Sequence, residues 1–410
     1  MNLALLFANK MRQQKQDKSS VSARIINIAM IAVAVGISMI LIAVATAKGM
    51  QKEIRKKTVA FNGHVVVSPF ENNESQISML PFEDTEALRA EIQDSNIDRL
   101  VPVILKPGML RKGADFEGIV FKGVDSLYQW KDIQGFLIVG RFPNFANNGS
   151  EEILISATVA SRISVEIGDR VNAYFQNEAN QNLPNQRRFT VVGIYNSGFP
   201  EVDETLIFGD IHQLRRLNKW EANAVGAYEI FLKNDRQMAS FAAALYNRIP
   251  SDLNTVPINE KFSSIFQWIS LFDFNIAIIL VVMILVGLIN MATALLVLIL
   301  ERSRMIGVLK AMGAPNALIQ KIFMYNGVLI MAKGLFFGNL LGLAFYFSQR
   351  TWGWITLDPQ TYYLSVAPVI LTVSEVLSLN LIFLSVCGIL LWLPAQIVLT
   401  IAPSKVLRFR

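Results

Sequence analysis

The stretch FNIAIILVVMILVGLINMATALLVLIL, residues 274–300, carries no charge and is followed at once by ERSRMIGVLKAMGAP, residues 301–315. At 1.5 Å rise per residue the first segment outruns a hydrocarbon core of about 30 Å, so it predicts a tilted transmembrane helix. In the second, Met305, Val308, Leu309 and Met312 fall at i, i+3, i+4 and i+7, the spacing of one helix face, beside the cations Arg302, Arg304 and Lys310. Gly313 supplies the left-handed residue that ends a helix, and Pro315 can open the next, where its missing N–H costs nothing. Such a short amphipathic helix between two spans offers its apolar ridge either to a partner's groove or to the lipid boundary.

Of the 410 residues, 52% are hydrophobic and 17% charged, too apolar for an ordinary soluble domain and too charged for a chain embedded throughout. Segregation resolves this. Transmembrane helices are expected at 25–48, 274–300, 322–347 and 376–401, while residues 49–273 have globular composition and enough length for a real core. The expected fold class is a membrane protein, α-helical with four transmembrane helices plus a large extracytoplasmic α+β domain of two subdomains, with a boundary near 125–150. Strands are predicted at 64–67, 101–105, 108–111, 118–123, 152–156, 170–175, 189–195, 204–208 and 228–233, and helices at 81–92, 157–164 and 236–248.

Charge gives the sidedness. Lys10, Arg12, Lys15, Lys18 and Arg24 precede the first span, Arg302, Arg304, Lys310 and Lys321 join the second to the third, and Lys405, Arg408 and Arg410 follow the fourth; only Asp17 and Glu301 oppose them. This excess is larger than the net +6 of the whole chain, so the remainder is net acidic. The positive-inside rule then makes 1–24, 301–321 and 402–410 cytoplasmic, and puts 49–273 and the loop 348–375 outside. Lys48, Lys52, Arg55, Lys56 and Lys57 argue the other way, but a large following domain is translocated regardless of its flank. Basic character here reports topology and gives no support for nucleic-acid binding. Ala45-Thr46-Ala47 resembles a leader-cleavage site, yet the uncharged run 25–47 outruns the roughly 7–15 residues of a leader's apolar core, which favours retention. The single Cys387 excludes an intramolecular disulfide.

The segment from Glu301 to Ala314 resembles the E-R-x-x-E-I-x-x-L-(K/R)-x-(L/M)-G-A signature of permeases in the FtsX/MacB superfamily of ABC transporters, with Met305 where the family usually carries an acid. The resemblance makes it the coupling helix that docks on a cytoplasmic ABC ATPase, through Glu301, Arg302, Arg304, Met305, Ile306, Val308, Leu309, Lys310, Met312 and Gly313. Ile167-Gly168-Asp169-Arg170-Val171, the run from Phe189 to Gly198, Ile265-Phe266-Gln267-Trp268-Ile269, Tyr362-Tyr363-Leu364-Ser365-Val366-Ala367-Pro368-Val369 and Pro394-Ala395 look like the transmembrane subunits of the lipoprotein-releasing system (LolC/LolE type) over nearly the whole chain. The polar connection 176–188 reads as a solvated hairpin loop. Leu183-Pro184 is its only apolar tip. In the resembling family one permease projects a loop at this place to hook a periplasmic lipoprotein carrier, and Leu183-Pro184-Asn185-Gln186-Arg187 looks like that hook's second half, which implies carrier binding at Asn182, Leu183 and Pro184.

Gly327, Gly334, Gly338 and Gly342 form a small-residue stripe along the third span, a helix-packing face that needs no ligand. Lys333 in the same span is a functional candidate or a snorkelling or paired side chain. No G-x-x-x-x-G-K-(S/T) is present, and His64 and His212 stand alone without a cysteine partner in the domain, so no catalytic residue, metal site or cofactor is expected in this chain. Glu201, Asp203 and Glu204, beside Gly198 and Pro200, read as a solvated turn.

The resemblance implies the membrane subunit of an ATP-driven complex in a bacterial inner membrane, multi-pass with both termini cytoplasmic, paired with a second permease copy or a paralogue. ATP and Mg would be bound by the partner ATPase, and the substrate would be a lipoprotein extracted from the outer leaflet and passed to the carrier. A receiving surface for membrane lipid and acyl chains is expected where the first two spans leave the bilayer, at Ala43, Ala47, Met50, Phe262, Phe266 and Phe272; interface anchoring explains the same residues equally well. The alternatives are a MacB-like exporter permease for small molecules or peptides, and an FtsX-like mechanotransmitter that activates a cell-wall hydrolase.

Overall fold

The first helix does not stop where its apolar run does. In a computed structural model that describes residues 21–72, 77–145, 149–176 and 184–400, α1 (Val21–Asn62) continues well past Ala47, because residues 50–57 are Met, Gln, Lys, Glu, Ile and Arg, mostly strong helix formers. Gly63 ends it, with φ +70° and its N–H on the Val59 carbonyl at 2.8 Å. A Cβ there would lie 3.1 Å from Cβ of Glu229 and 3.2 Å from the Ile230 nitrogen, so the close approach to the following sheet also requires glycine. The expectations for residues 1–20, for the loop tip at 177–183 and for the tail 401–410 lie outside the described residues. The chain divides into two compact units, Lys52–Trp268 with Leu357–Ser365, and Met1–Gln51 with Ile269–Thr356 and Val366–Arg410.

The first unit is α+β. In chain order it holds β1 (Val65–Pro69), β2 (Phe82–Glu83), α2 (Glu86–Ile92), β3 (Ile97–Lys112), β4 (Asp115–Val124), β5 (Leu137–Gly140), β6 (Glu152–Ser156), α3 (Ala157–Arg162), β7 (Arg170–Phe175) and β8 (Asn185–Tyr195). β9 (Leu206–Asp210), α4 (Ile211–Asn218), β10 (Ala224–Val225), β11 (Ala227–Leu232), α5 (Met238–Tyr246) and β12 (Leu253–Pro257) complete it. β3 serves two layers. Its first half pairs β11, and its second half pairs both β4 and β7. From there β4 pairs β9, β9 pairs β6, β6 pairs β8 and β8 pairs β7, which closes a barrel. Alternate residues fill it, among them Leu110, Phe121, Ala173, Phe175, Phe189 and Val191. Gly108 is required inside, since a Cβ there would sit 2.8 Å from the Phe175 ring.

The open part of the sheet, β12-β1-β11, continues from β3 and builds a second core around Val65, Val67, Tyr228 and Ile230 with Phe82, Leu88 and Phe241. The domain thus has two subdomains, but the barrel draws on two separate stretches, Ile104 onward through β4 and then β6 to β9. An interleaved path therefore replaces the single boundary expected near 125–150, because β3 is long enough to feed both cores. Outside the barrel wall, the buried Lys122 places Nζ 2.7 Å from both carboxylate oxygens of the buried Glu229 and 2.6 Å from the Phe61 carbonyl at the end of α1. The last turn of that helix is thereby capped by a side chain of the barrel.

The second unit is helical, with most of α1 and of α6 (Ser263–Glu301), then α7 (Ser303–Ala311), α8 (Asn316–Trp352) and α9 (Val373–Leu390). Among the described residues, four helical stretches are long and apolar enough to cross a membrane: 24–62, 263–301, 316–352 and 373–399. The fourth is not one smooth helix. α9 ends at Leu390 because the Pro394 ring clashes with the carbonyl four residues back, and the chain proceeds in two short turns, Trp392–Ala395 and Ile397–Thr400. Gly334, Gly338 and Gly342 of α8 face α1. A Cβ at Gly334 would be 2.7 Å from Val33 and one at Gly342 2.9 Å from Leu41, while one at Gly338 would collide with Ile37 and the Ala34 carbonyl. Gly327 lies instead against Leu391, at 3.1 Å for the same construction. Asn339 and Asn380 exchange amide hydrogen bonds of 2.7 and 2.8 Å between α8 and α9. The segment entering α9 grips α1: Ile370 N–H donates to the Ala45 carbonyl at 2.9 Å, Gly49 leaves room for the Pro368 backbone, and Lys48 pairs with Glu375.

Candidate functional site

α7 is where the sequence expects a partner, and its packing divides the expected ridge. Ile306 is wholly buried among the other helices, and Met305 and Leu309 pack partly against the same core. What remains outward is Glu301, Arg304, Val308, Ala311 and Met312, a single stripe at helical spacing, with Val308 46% and Met312 79% exposed. Lys310 is turned inward, donating to the Val398 carbonyl at 2.7 Å. Gly313, φ +89°, closes the helix, with the Ala314 N–H on the Leu309 carbonyl at 2.9 Å. The helix is held from behind by its own chain and presents an apolar strip headed by one acid, Glu301, and one base, Arg304.

The second constellation was not anticipated from sequence. Tyr363, in the loop that follows α8, adopts φ +58°, a left-handed conformation uncommon for a residue with a Cβ. Its carbonyl accepts from Lys57 Nζ at 2.9 Å, and Lys57 also donates to the Ser197 carbonyl at 2.7 Å. Its ring stacks on Phe199 at 4.7 Å and meets Trp268 edge-on at 5.8 Å, and its hydroxyl donates to Glu201 at 3.3 Å. Four chain segments converge here: the end of α1, the turn after β8, the start of α6 and the loop after α8. Beneath it the 197–203 turn is organised by Asp203. Its carboxylate accepts from the Ser197 N–H at 2.9 Å, the Ser197 hydroxyl at 2.8 Å and the Gly198 N–H at 2.9 Å. Asp203 is only 6% exposed, which corrects the expectation of a solvated acidic turn; a buried acid with those donors is an anchor. Burial pushes its carboxyl above the usual range against the pull of these bonds and of Lys57. The basic run 55–57 and the Tyr362-Tyr363 pair were visible signals, but nothing local linked them.

The residues expected to receive lipid are spread out. Ala47 and Met50 are buried in the helical unit, Ala43 and Phe272 are half-buried there, and Phe262 and Phe266 pack on the core of the α+β unit. Asn182 and Leu183 lie outside the described residues; Pro184 is exposed. The strands carrying that loop, β7 and β8, together with the neighbouring β3 and β4, offer a solvent face on which Phe116 stands opposite Arg111, Met109 opposite Tyr174, and Tyr174 opposite Gln186. Lys333 projects from the exposed side of α8, away from the glycine stripe. Among the described residues no group of three or more metal-ligating side chains occurs.

Residues 28–247 match the family model of the MacB-like periplasmic core domain, and residues 277–403 that of the FtsX-like permease C-terminal. The chain is 22% identical over 396 residues to the lipoprotein-releasing system transmembrane protein LolC of Neisseria meningitidis serogroup B, covering 92% of each chain. It is 19% identical over 338 residues to the transmembrane protein LolE of the same system in Haemophilus influenzae, covering 81% of this chain and 79% of that one. Among solved structures, the periplasmic region of MacB from Actinobacillus actinomycetemcomitans aligns with 50% of this chain and 95% of its own, at 13% identity and a TM-score of 0.35.

Proposed function

The chain belongs to the FtsX/MacB-type ABC transporter permeases, and we propose that within this family it is the membrane subunit that draws lipoproteins out of the outer leaflet of an inner membrane and passes them to a periplasmic carrier. As in other ABC systems of this kind, the ATPase is a separate subunit; this chain is a multi-pass permease with an extracytoplasmic domain. The observation that carries the finer reading is the end-to-end similarity to proteins named for lipoprotein release, domain and spans together.

The physical task fits such a machine. Removing acyl chains from a bilayer costs about 0.8 kcal/mol per CH₂, so a multiply acylated anchor requires coupled work. ATP and Mg would act in the partner ATPase, docked on Arg304, Val308 and Met312 of a cytoplasmic α7, with both termini on the same side. α1 and α6 contain residues of both units, so helix is the only chain path by which motion at α7 reaches the domain from these two spans. A second permease, copy or paralogue, would supply the other half of the lipid path, flanked by Ala43 and Phe272. The exposed face of Met109, Phe116, Gln186 and Arg188 beside the 176–188 loop would receive the carrier.

The test is lipoprotein transfer from proteoliposomes holding this chain, its cognate ATPase and partner permease, with carrier and ATP. Val308→Glu with Met312→Glu is the control of choice, because both side chains are outward and their loss leaves the helical core intact. ATP-dependent transfer that disappears in the control supports the reading. Normal ATP turnover without transfer overturns it, in favour of the exporter or the hydrolase switch.

A further inference from the structure

The extracytoplasmic domain contains a cavity of about 330 Å³ on its open sheet, within the range of roughly 300–1,000 Å³ typical of small-molecule sites. Its floor is the sheet face on which Val66 stands opposite both Val256 and Glu229, and Ala227 opposite Val103. One wall is the segment around Ser78. Ser78 accepts from the Leu105 N–H through its hydroxyl at 2.9 Å, and its own N–H donates to the Leu105 carbonyl at 2.8 Å. The polar groups of that wall are largely committed to backbone, so they shape the cavity and leave recognition to others.

The opposite rim is the turn Ile258–Lys261, which brings Glu260 and Lys261 to the opening. Glu229 in the floor is already neutralised by Lys122, with both of its oxygens 2.7 Å from the ammonium. Lys261 is different. It is half-buried and, among the described residues, makes no hydrogen bond or ion pair; burial pulls its ammonium below the usual lysine range, while Glu229 raises it and Lys122 lowers it. Glu260 is exposed and also without an ion pair among the described residues. Among the described residues the cavity therefore offers a floor that is apolar apart from the neutralised Glu229, with one cation and one anion at successive positions on its rim that have no partner.

We propose that this cavity binds a zwitterion with an apolar body, its anionic group on Lys261 and its ammonium on Glu260. At about 30 Å³ per water-sized element, the volume admits a molecule of about ten heavy atoms. Two sources share that chemistry: an α-amino acid with an aliphatic side chain, and the ethanolamine phosphate headgroup of a phospholipid. A simple fatty anion meets repulsion from Glu260, and a simple amine meets it from Lys261.

The experiment is calorimetric titration of the full chain with its ATPase in nanodiscs of phosphatidylglycerol, a lipid without an ammonium. L-leucine, dihexanoyl phosphatidylethanolamine, octanoate and octylamine are added separately, with no nucleotide, carrier or lipoprotein, so the result is independent of the release reading. Saturable binding of a zwitterion, with octanoate and octylamine at least about tenfold weaker, supports the site; which zwitterion binds identifies the source. Lys261→Gln and Glu260→Gln, both at the rim, should each weaken it about tenfold, the weight of one charge-assisted contact. Leu105→Trp should abolish it by filling the space. Absence of binding by both zwitterions, equal binding of octanoate, or unchanged affinity in both rim variants overturns the proposal.

Discussion

The ammonium of Lys57 sits 2.9 Å from the carbonyl of Tyr363, so the end of the first helix is tied to the loop between the third and fourth. The same ammonium holds the Ser197 carbonyl and lies 5.4 Å from the Phe136 ring centroid. Lys57→Met keeps the aliphatic contact and removes both bonds, each of a kind worth about 1.5–3 kcal/mol, toward the lower figure in a half-buried place. Faster amide exchange confined to residues 357–365 and 196–204 is the expected result, with the barrel strands unaffected. Unchanged exchange in that loop would show that the aromatic stack alone suffices.

His64 gives the domain a dependence on pH. Burial holds its imidazole below the ordinary histidine value, with Asp235 raising it and Arg99 lowering it, and Nδ1 accepts from the Leu232 N–H at 3.0 Å. The neutral ring is thus the folded form. Because the folded value lies below the unfolded one of about 6.5, this contribution is complete above pH 6.5 and is lost as pH falls through that value toward the folded one. The unfolding free energy should drop between pH 7 and 5, by at most about 1.4 kcal/mol per pH unit from this group. His64→Gln, whose oxygen can accept the same N–H without titrating, should flatten that slope.

Asn339 and Asn380 close on one another within the membrane helices. Either one replaced by Leu leaves an amide without its partner, at a cost of about 0.6–2 kcal/mol. The double variant Asn339→Leu with Asn380→Leu should lose less than the two single losses added together. A thermal-unfolding cycle in detergent measures this, and strict additivity would deny the coupling.

For Lys122 and Glu229 the expected asymmetry is larger. Lys122→Met strands a buried carboxylate and should cost about 3–5 kcal/mol, whereas Lys122→Met with Glu229→Leu removes both charges and should recover most of it. Chemical denaturation of the full chain decides the matter. Equal losses in the two variants would mean the pair is solvated in solution.

Much of this architecture could be read from the residues, and the failures share a cause. The four spans, the turn at Gly313 and most strands follow from hydropathy, propensity and turn chemistry, which are local. Closure of the barrel was hidden because β4 with β9 and β6 with β8 are parallel pairs between distant segments, and no sequence period encodes them. The run of α1 beyond the apolar segment, through Met50 to Phe61, is legible too, because apolarity ends near Ala47 while helix propensity persists to Asn62. On α7 the periodicity found the apolar side but could not divide it between the chain's own helices, which take Ile306, and the open stripe of Val308 and Met312. Burial of Asp203 is not legible locally, since a Gly-Pro-acid turn has the same sequence whether its carboxylate faces water or Ser197.

The place of β1 in the sheet bears on how the protein is made. β1 is synthesised at the start of the domain, yet both of its neighbours, β11 and β12, come from its end. While export proceeds, the strand waits with both hydrogen-bonding edges open, a state prone to mispairing and proteolysis. Its pairing is completed only when Leu253–Pro257 emerges, just ahead of the second span. Tyr363 arrives later still, after the third span is inserted, so membrane insertion supplies the final piece of a domain that lies outside it.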